Sequence, residues 1–445
     1  MTHSPHGRSA VAGAVALGLG ATLGAGVFVG LAPAASIAGR WFLPAMAFAA
    51  LAALCSAFST ADQSRAYPEA GGGYAYIRNQ LGPWPGRIGA SAYLLGRAGI
   101  AAALAEMFAT YVFPEQRTVV ALLVLAGAAA LSAAGVRFGT RLSWLASGTV
   151  LVVLAVVVVA CFGVAPPEAA TAVPTGLPGT DDFSGFMGVA GLLFIAFSGF
   201  ERITAPHPGE PVHSARTLRL AIPLLIGLAL VTTLVVGAAV QHQLGPFRLA
   251  LSPAPLRDAL VAADGGFLVP LVQVGAIVAA VSTLTFVFAG MRRALGAMAE
   301  TGDLPARLAA VGDARAPWPL DLIAGSAAAI ALLLLSSATA LAVGACGTLF
   351  YYAFTNASAR VLLQEDRTWP MRTACVGLGL SVLLAMSAPV DALLITIVAM
   401  VAGTLLLGWC ARIGVRRRAA ASIGARLVPV AEGRTSDPRD SDFLA

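Results

Sequence analysis

Charge is what this chain has least of. Only 11% of its 445 residues are Asp, Glu, Lys or Arg, while 58% are hydrophobic. An ordinary globular domain carries roughly 25% charged residues. A soluble fold could not cover its surface with so few. Lysine is missing altogether, so all 28 basic residues are arginine. Cysteine is sparse as well. Cys55, Cys161, Cys346, Cys375 and Cys410 are odd in number, scattered and without metal-ligand spacing. They read as small side chains facing lipid or neighbouring helices. The five histidines (His3, His6, His207, His213, His242) lie mostly outside the apolar runs. With no nucleotide motif, metal-ligand cluster or nucleophile elbow, nothing points to an enzyme.

What is present is apolar length. Windows of about 17–25 residues, enough to cross a bilayer, fall near 11–37, 41–63, 86–113, 118–135, 142–164, 185–205, 218–240, 266–291, 319–336, 340–363, 372–388 and 390–411. That predicts an all-α membrane protein of twelve transmembrane helices. The least marked boundary is the ninth-to-tenth, where only Ser336–Thr339 punctuates. The first window exceeds the roughly 7–15 apolar residues of a signal peptide, so it is expected to stay as a span. With both termini on the cytoplasmic side, 23 of the 28 arginines lie inside and Arg40, Arg117, Arg248 and Arg257 outside. The net charge of +6 follows from that bias and gives no reason to invoke nucleic acid. The expected organisation is an N-tail over 1–10, a transmembrane domain over 11–411 and a cytoplasmic C-tail over 412–445. The tail's Arg416–Arg418 start suits anionic lipid headgroups, and its polar remainder reads as disordered.

Glycine is concentrated where it should not be. From Gly18 to Phe28 the first span reads GLGATLGAGVF, and such residues hold a helix poorly. Backbone that unwinds at membrane depth is tolerated only where it lines a cavity or meets a ligand. The sixth span, Gly185 to Glu201, likewise reaches small residues midway at Ala196, Ser198 and Gly199. Spans one and six are five apart, and interrupted spans in corresponding halves are the sequence pointer to an inverted-repeat transporter. The halves would cover about 11–164 and 185–363, with extra helices over 372–411. A dinucleotide fingerprint at Gly18 and Gly20 fails, because Leu23 stands where its third glycine belongs and no strand precedes it.

Four blocks in this order resemble the amino acid–polyamine–organocation superfamily, the amino-acid permeases. They are GAGVF at Gly24–Phe28 and YPEAGGGYAY at Tyr67–Tyr76. FIAFSGFERI at Phe194–Ile203 follows, with Glu210–Pro223 behind it. The last is YYAFTNASARVLL at Tyr351–Leu363, with RTWP at Arg367–Pro370. The last block is nearest to actinobacterial-type permeases, and the likeness runs from about 10 to 411. It implies a leucine-transporter-like fold of five-plus-five inverted repeats with discontinuous helices 1 and 6, and a substrate held at their unwound centres.

At the first break, N–H groups of Thr22, Leu23, Gly24, Ala25 and Gly26 suit a carboxylate. At the second, carbonyls of Phe194, Ala196, Phe197 and Ser198 would receive an α-ammonium group. The other reading of these glycines is close helix packing. Phe194, Phe197 and Phe200 recur every third residue. The resemblance makes Phe194 a gating candidate with Phe200 beside it, although packing is the plainer role. Arg97 lies some 16 Å inside the third span, at about 1.5 Å per residue from Gly86. A charge there must face the interior and meet a partner. Glu201, beside Arg202 at the end of span six, is either a solvated structural acid or a coupling group; Glu106 is expected near the outer surface. In sodium-coupled relatives, hydroxyls of span eight help hold the ion, and Ser282 and Thr283 are available here. A span-five lysine that replaces sodium in others would fall near Val150, and this chain has none.

The expectation is therefore a secondary active transporter of amino acids in the cell membrane, working by alternating access. It needs no cofactor beyond H+ or Na+ as coupling ion and has membrane lipids around it. An exchanger or exporter is the alternative within that class, and a channel the alternative outside it. Small residues at Ala21, Ala98 and Ala101 favour a neutral substrate. Monomer and homodimer are both compatible with the sequence.

Overall fold

The computed structural model describes residues 5–38, 41–67, 72–136, 139–167, 183–205, 213–308 and 318–427. Most of Pro166–Asp182, whose Pro, Gly and Thr content predicts an external loop, and the link in which Pro206, Pro208 and Pro211 are expected to break a helix lie outside the described residues, as does 428–445.

Every apolar window is occupied by helix. The first holds α1 (Pro5–Leu23) and α2 (Leu31–Ala38), joined through a π-helical turn at Gly24–Val29. Next come α3 (Phe42–Ala66), the short helix α4 (Gly72–Leu81) and the long α5 (Pro83–Val112). α6 (Arg117–Ala133) and α7 (Thr140–Gly163) complete the first half. The sixth window holds α8 (Phe183–Leu193), a 3-10 segment at Phe194–Phe200 and α9 (Glu201–Thr204). Then follow α10 (Ala215–Leu251), α11 (Pro255–Ala262), α12 (Val269–Glu300) and α13 (Trp318–Leu334). α14 (Ser337–Ala359), α15 (Met371–Met386) and α16 (Val390–Leu427) close the chain. Among the described residues, ten helices are long and apolar enough to cross a membrane, and α13 and α15 are shorter apolar helices. This is a multi-pass membrane protein.

Local chemistry explains the boundaries. Ser336 caps α14 by accepting a hydrogen bond from Thr339 N at 3.2 Å, so two hydroxyls suffice to divide α13 from α14. α10 turns at Gly245, whose φ of 67° precedes Pro246. The outer face carries large exposed side chains such as Leu123, Leu145, Val159, Leu334 and Val398, a girdle that suits lipid. Inside, α5 packs most extensively on α14. A Cβ at Gly99 would meet Ala340 O at 2.5 Å, and one at Gly347 would meet Ala92 O at 2.9 Å. Small residues thus let two central backbones approach, as membrane packing requires.

Two expectations need correction. The first and sixth spans do not unwind; each changes helical register instead. A shift to π or 3-10 turns keeps most backbone groups paired, which full unwinding inside an apolar bundle would not. The helix of the last span does not end near residue 411, because α16 continues to Leu427; the alanines following Arg418 are strong helix formers.

Candidate functional site

The two register changes touch. Thr22 bends its hydroxyl back to Gly18 O at 2.7 Å, and Gly199 of the sixth span lies directly on it. A Cβ at Gly199 would fall 1.6 Å from Thr22 Oγ1 and 2.3 Å from Gly18 O. Gly26 meets Ala196 in the same way, with a Cβ 2.5 Å from that of Ala196. Gly24 faces α12, where a Cβ would lie 2.5 Å from Thr283 Oγ1 and 2.6 Å from Ala279 O. Thr22 and Leu23 are buried beside them. Ala25 occupies the same π turn, with its side chain outside what the structure describes. Of the two readings of the glycines, close packing is what the contacts display: they put main chain against main chain at the crossing.

Of the paired hydroxyls on α12, Ser282 bonds back to Ala279 O at 3.2 Å. Thr283 Oγ1 is buried with no hydrogen-bond partner among the described residues. A buried hydroxyl left unpaired costs about 1–3 kcal/mol, and this one points at the first break.

In the second break, 3-10 geometry puts every third residue on one line, so Phe194, Phe197 and Phe200 form a row. All three are buried. Phe194 and Phe200 straddle Tyr352 of α14, with ring centroids at 5.4 and 5.3 Å. Ser198 turns its hydroxyl to Ile195 O at 2.9 Å.

Arg97 stands midway along α5, 2% exposed, and its partner is Glu201 at the start of α9, 3% exposed. Glu201 is thus not the solvated acid that its neighbour Arg202 suggested. The guanidinium lies over the rings of Tyr93 and Phe286 at 5.1 and 5.3 Å, which adds cation–π attraction where water is excluded. Tyr352 donates to Glu201 Oε2 at 3.4 Å. Tyr351 packs on both Tyr93 and Tyr352. The sequence announced that Arg97 needs an intramembrane partner. It did not say which acid, nor that Tyr93, Tyr351, Tyr352 and Phe286 enclose the pair.

A crevice leads from one end of the bundle to Glu201. It is lined by Gly73, Tyr74, Tyr93, Gly290, Arg293 and Tyr351 among others, and has room for about one water molecule. Gly73 lies beneath Tyr351, where a Cβ would fall 1.8 Å from the hydroxyl oxygen. Arg293 donates to Ala205 O across the floor. Below it Asp303, 1% exposed, gathers three donors: Tyr74 at 2.7 Å, Arg78 at 2.6 Å and Arg87 at 2.9 Å. Burial holds the Tyr74 hydroxyl well above its usual pKa and pushes Tyr76 up to about 12. The second and fourth sequence blocks therefore meet at this end.

The remainder of the fourth block is structural. Asn356 Nδ2 donates to Ser56 at 3.1 Å and Ser381 at 3.4 Å. Asp62 accepts from the backbone N–H of Thr368 at 2.8 Å and Trp369 at 3.3 Å. Trp369 stacks on Phe58 with centroids 4.8 Å apart. These contacts clamp α14 and α15 to α3. Glu106, in α5, is only partly buried. No group of three or more His, Cys, Asp or Glu suited to a metal occurs among the described residues.

Residues 11–411 match the family described as Amino acid permease. An uncharacterized transporter of Mycobacterium tuberculosis is 37% identical over 434 residues, covering 96% of this chain and 93% of its own. One from Mycobacterium bovis matches equally. The chain belongs to the amino acid permease family. A further relative, named cationic amino acid transporter 5 of Arabidopsis thaliana, is 28% identical over 207 residues, 42% of this chain and 35% of that one. This permease is a transport protein and not an enzyme, and its substrate class is amino acids.

Proposed function

We propose that the protein is a secondary active transporter that moves amino acids across the cell membrane by alternating access, with the substrate held where spans one and six cross. The observation that carries this reading is the contact of two helical register changes on glycine backbone. Groups shared between π or 3-10 and α hydrogen-bonding are the ones a zwitterion could borrow. The carboxylate would lie against the N–H groups of Thr22 through Gly26, and the ammonium group against carbonyls of Phe194, Ala196, Phe197 and Ser198. The Phe194–Tyr352–Phe200 stack is the proposed gate over them.

In this reading α13 and α15 also span, giving twelve helices in two inverted five-helix repeats plus two, with both termini cytoplasmic. Coupling has two candidate groups. The lone hydroxyl of Thr283, beside Ser282 and facing Gly24, supports a sodium ion. The Arg97–Glu201 pair supports a proton, carried by the glutamate, because arginine keeps its own at working pH. The two charges cancel inside the pair, which with Ala21, Ala98 and Ala101 supports a neutral substrate side chain.

Purified protein in proteoliposomes should take up a neutral amino acid saturably and show counterflow, with a sodium or proton gradient raising the initial rate. Flux linear in concentration without counterflow would indicate a channel and sink the proposal. Counterflow unaffected by either gradient would leave the exchanger as the mode of transport.

A further inference from the structure

Two hollows on the molecular surface run into one another. The first is an apolar groove of about 880 Å³ between α1, α7 and α10, walled by Val11, Val15, Trp144, Leu224, Gly227 and Val231 among others. The second, about 680 Å³, holds Arg65, Arg216, Arg219 and Arg367 around Thr368, with Glu365 as its one acid. Arg216 and Leu220 line both. Along α10, Arg216 to Val231 covers about 22 Å at 1.5 Å per residue. That is more than half of the ~30 Å hydrocarbon thickness.

The chemistry changes along that length as a phospholipid does. Leu220, Leu224 and Trp144 are exposed hydrophobics on a lipid-facing wall. The basic hollow sits where two spans end: Arg65 closes α3 and Arg216 opens α10. Three of its arginines are engaged there: Arg65 donates to Thr368 Oγ1, Arg219 to Thr368 O and Arg367 to Arg360 O. Arg216 is exposed and makes no hydrogen bond or ion pair among the described residues. The first turn of the 37-residue α10 adds partial positive charge at the same point.

We infer that this composite hollow is a binding site for one anionic phospholipid, its phosphate held by Arg216 and Arg219 and an acyl chain laid along the α1–α7–α10 groove. Basic pockets between transmembrane helices recognise such headgroups. Because α1 is the first half of the broken span, a lipid seated here braces that half against α7 and α10. This site does not depend on the transport reading, and its test needs no transport.

Full-length protein in neutral detergent is mixed with dioleoyl phosphatidylglycerol, dioleoyl phosphatidylcholine or inorganic phosphate, and thermal unfolding and native mass spectra are recorded. Phosphatidylglycerol should raise the unfolding midpoint by several degrees and stay bound in the spectrum; phosphatidylcholine should act at least tenfold more weakly, and phosphate should have no effect. The pair Arg216→Gln and Arg219→Gln should abolish the preference. Gly227→Trp should abolish binding of either lipid, since a side chain there enters open space and fills the groove. Arg248→Gln, at the far end of the same helix, should change nothing. Equal responses to the two lipids, a preference surviving in the double variant, or a shift reproduced by phosphate alone would each overturn the inference.

Discussion

The two breaks solve one problem in opposite ways. The first widens into a π turn built mainly of glycine, alanine and valine, with Phe28 as its single aromatic, edge-on to Tyr111 at 5.8 Å, and an unpaired hydroxyl facing it. The second tightens into a 3-10 run built around three phenylalanines, and it leads straight into Glu201 and its ion pair with Arg97. A wide turn with a single aromatic anchor can shift with less side-chain packing to break. A tight turn pinned by an aromatic row and a buried charge cannot. The comparison teaches that the second break is the fixed wall of the crossing and the first the adjustable one.

The hardest blow to the fixed wall is removal of its charge partner. Arg97→Leu leaves Glu201 buried and alone, which should lower stability by about 3–5 kcal/mol. Arg97→Leu combined with Glu201→Leu should recover most of it, because an apolar pair of similar size is often neutral or better. Unfolding in detergent reads both, and a double variant as unstable as the single would show that the pair does more than neutralise charge. Next in size is Gly199→Ala, whose methyl would collide with Thr22 and with main chain at Gly18. Overpacking of this kind costs about 1–3 kcal/mol. Gly26→Ala should cost less, since its methyl would overlap Ala196 at Cβ and Cα by less than the Gly199 methyl overlaps Thr22 and Gly18, and equal losses at the two positions would erase the distinction between fixed and adjustable walls.

Smaller effects sharpen the picture at its edges. Asp303→Asn should cost about 1–2 kcal/mol, since Arg78 and Arg87 are 21% and 13% exposed and partly screened. It should also speed hydrogen exchange in α4 while leaving the central helices unchanged. Thr283→Val should leave stability equal or up to about 1 kcal/mol higher, because it deletes a hydroxyl that has no partner. Any sodium-dependent rise in the unfolding midpoint should vanish in that variant; a rise that persisted would remove Thr283 from the coupling reading.

Much of this architecture is written in local pattern. Apolar length located the ten long apolar helices and the two shorter ones among the described residues, and runs of glycine and other small residues pointed to both register changes, which begin at Gly24 and Phe194. Arg97 declared itself through the cost of a charge in an apolar window. What stayed hidden was the form of the breaks, because glycine content says that a helix is weak and not how its hydrogen bonds rearrange. Pairings across distant spans were hidden for a different reason. Arg97 with Glu201, Gly73 under Tyr351 and Asp62 beneath Trp369 join residues more than a hundred positions apart, and one sequence carries no signal of who meets whom. Neighbours in the chain left Glu201 open between a solvated acid and a coupling group; its neighbours in space decide that it is buried against Arg97.

The crossing of the two breaks as the substrate site is tested most directly by ligand-induced thermal shift on purified protein across a panel of neutral and cationic amino acids. Wild type should be stabilised by at least one neutral amino acid. Gly127→Ala, whose methyl enters open space, should keep the full shift, and Gly26→Ala should fold yet lose it. An undiminished shift in a folded Gly26→Ala protein would contradict the account.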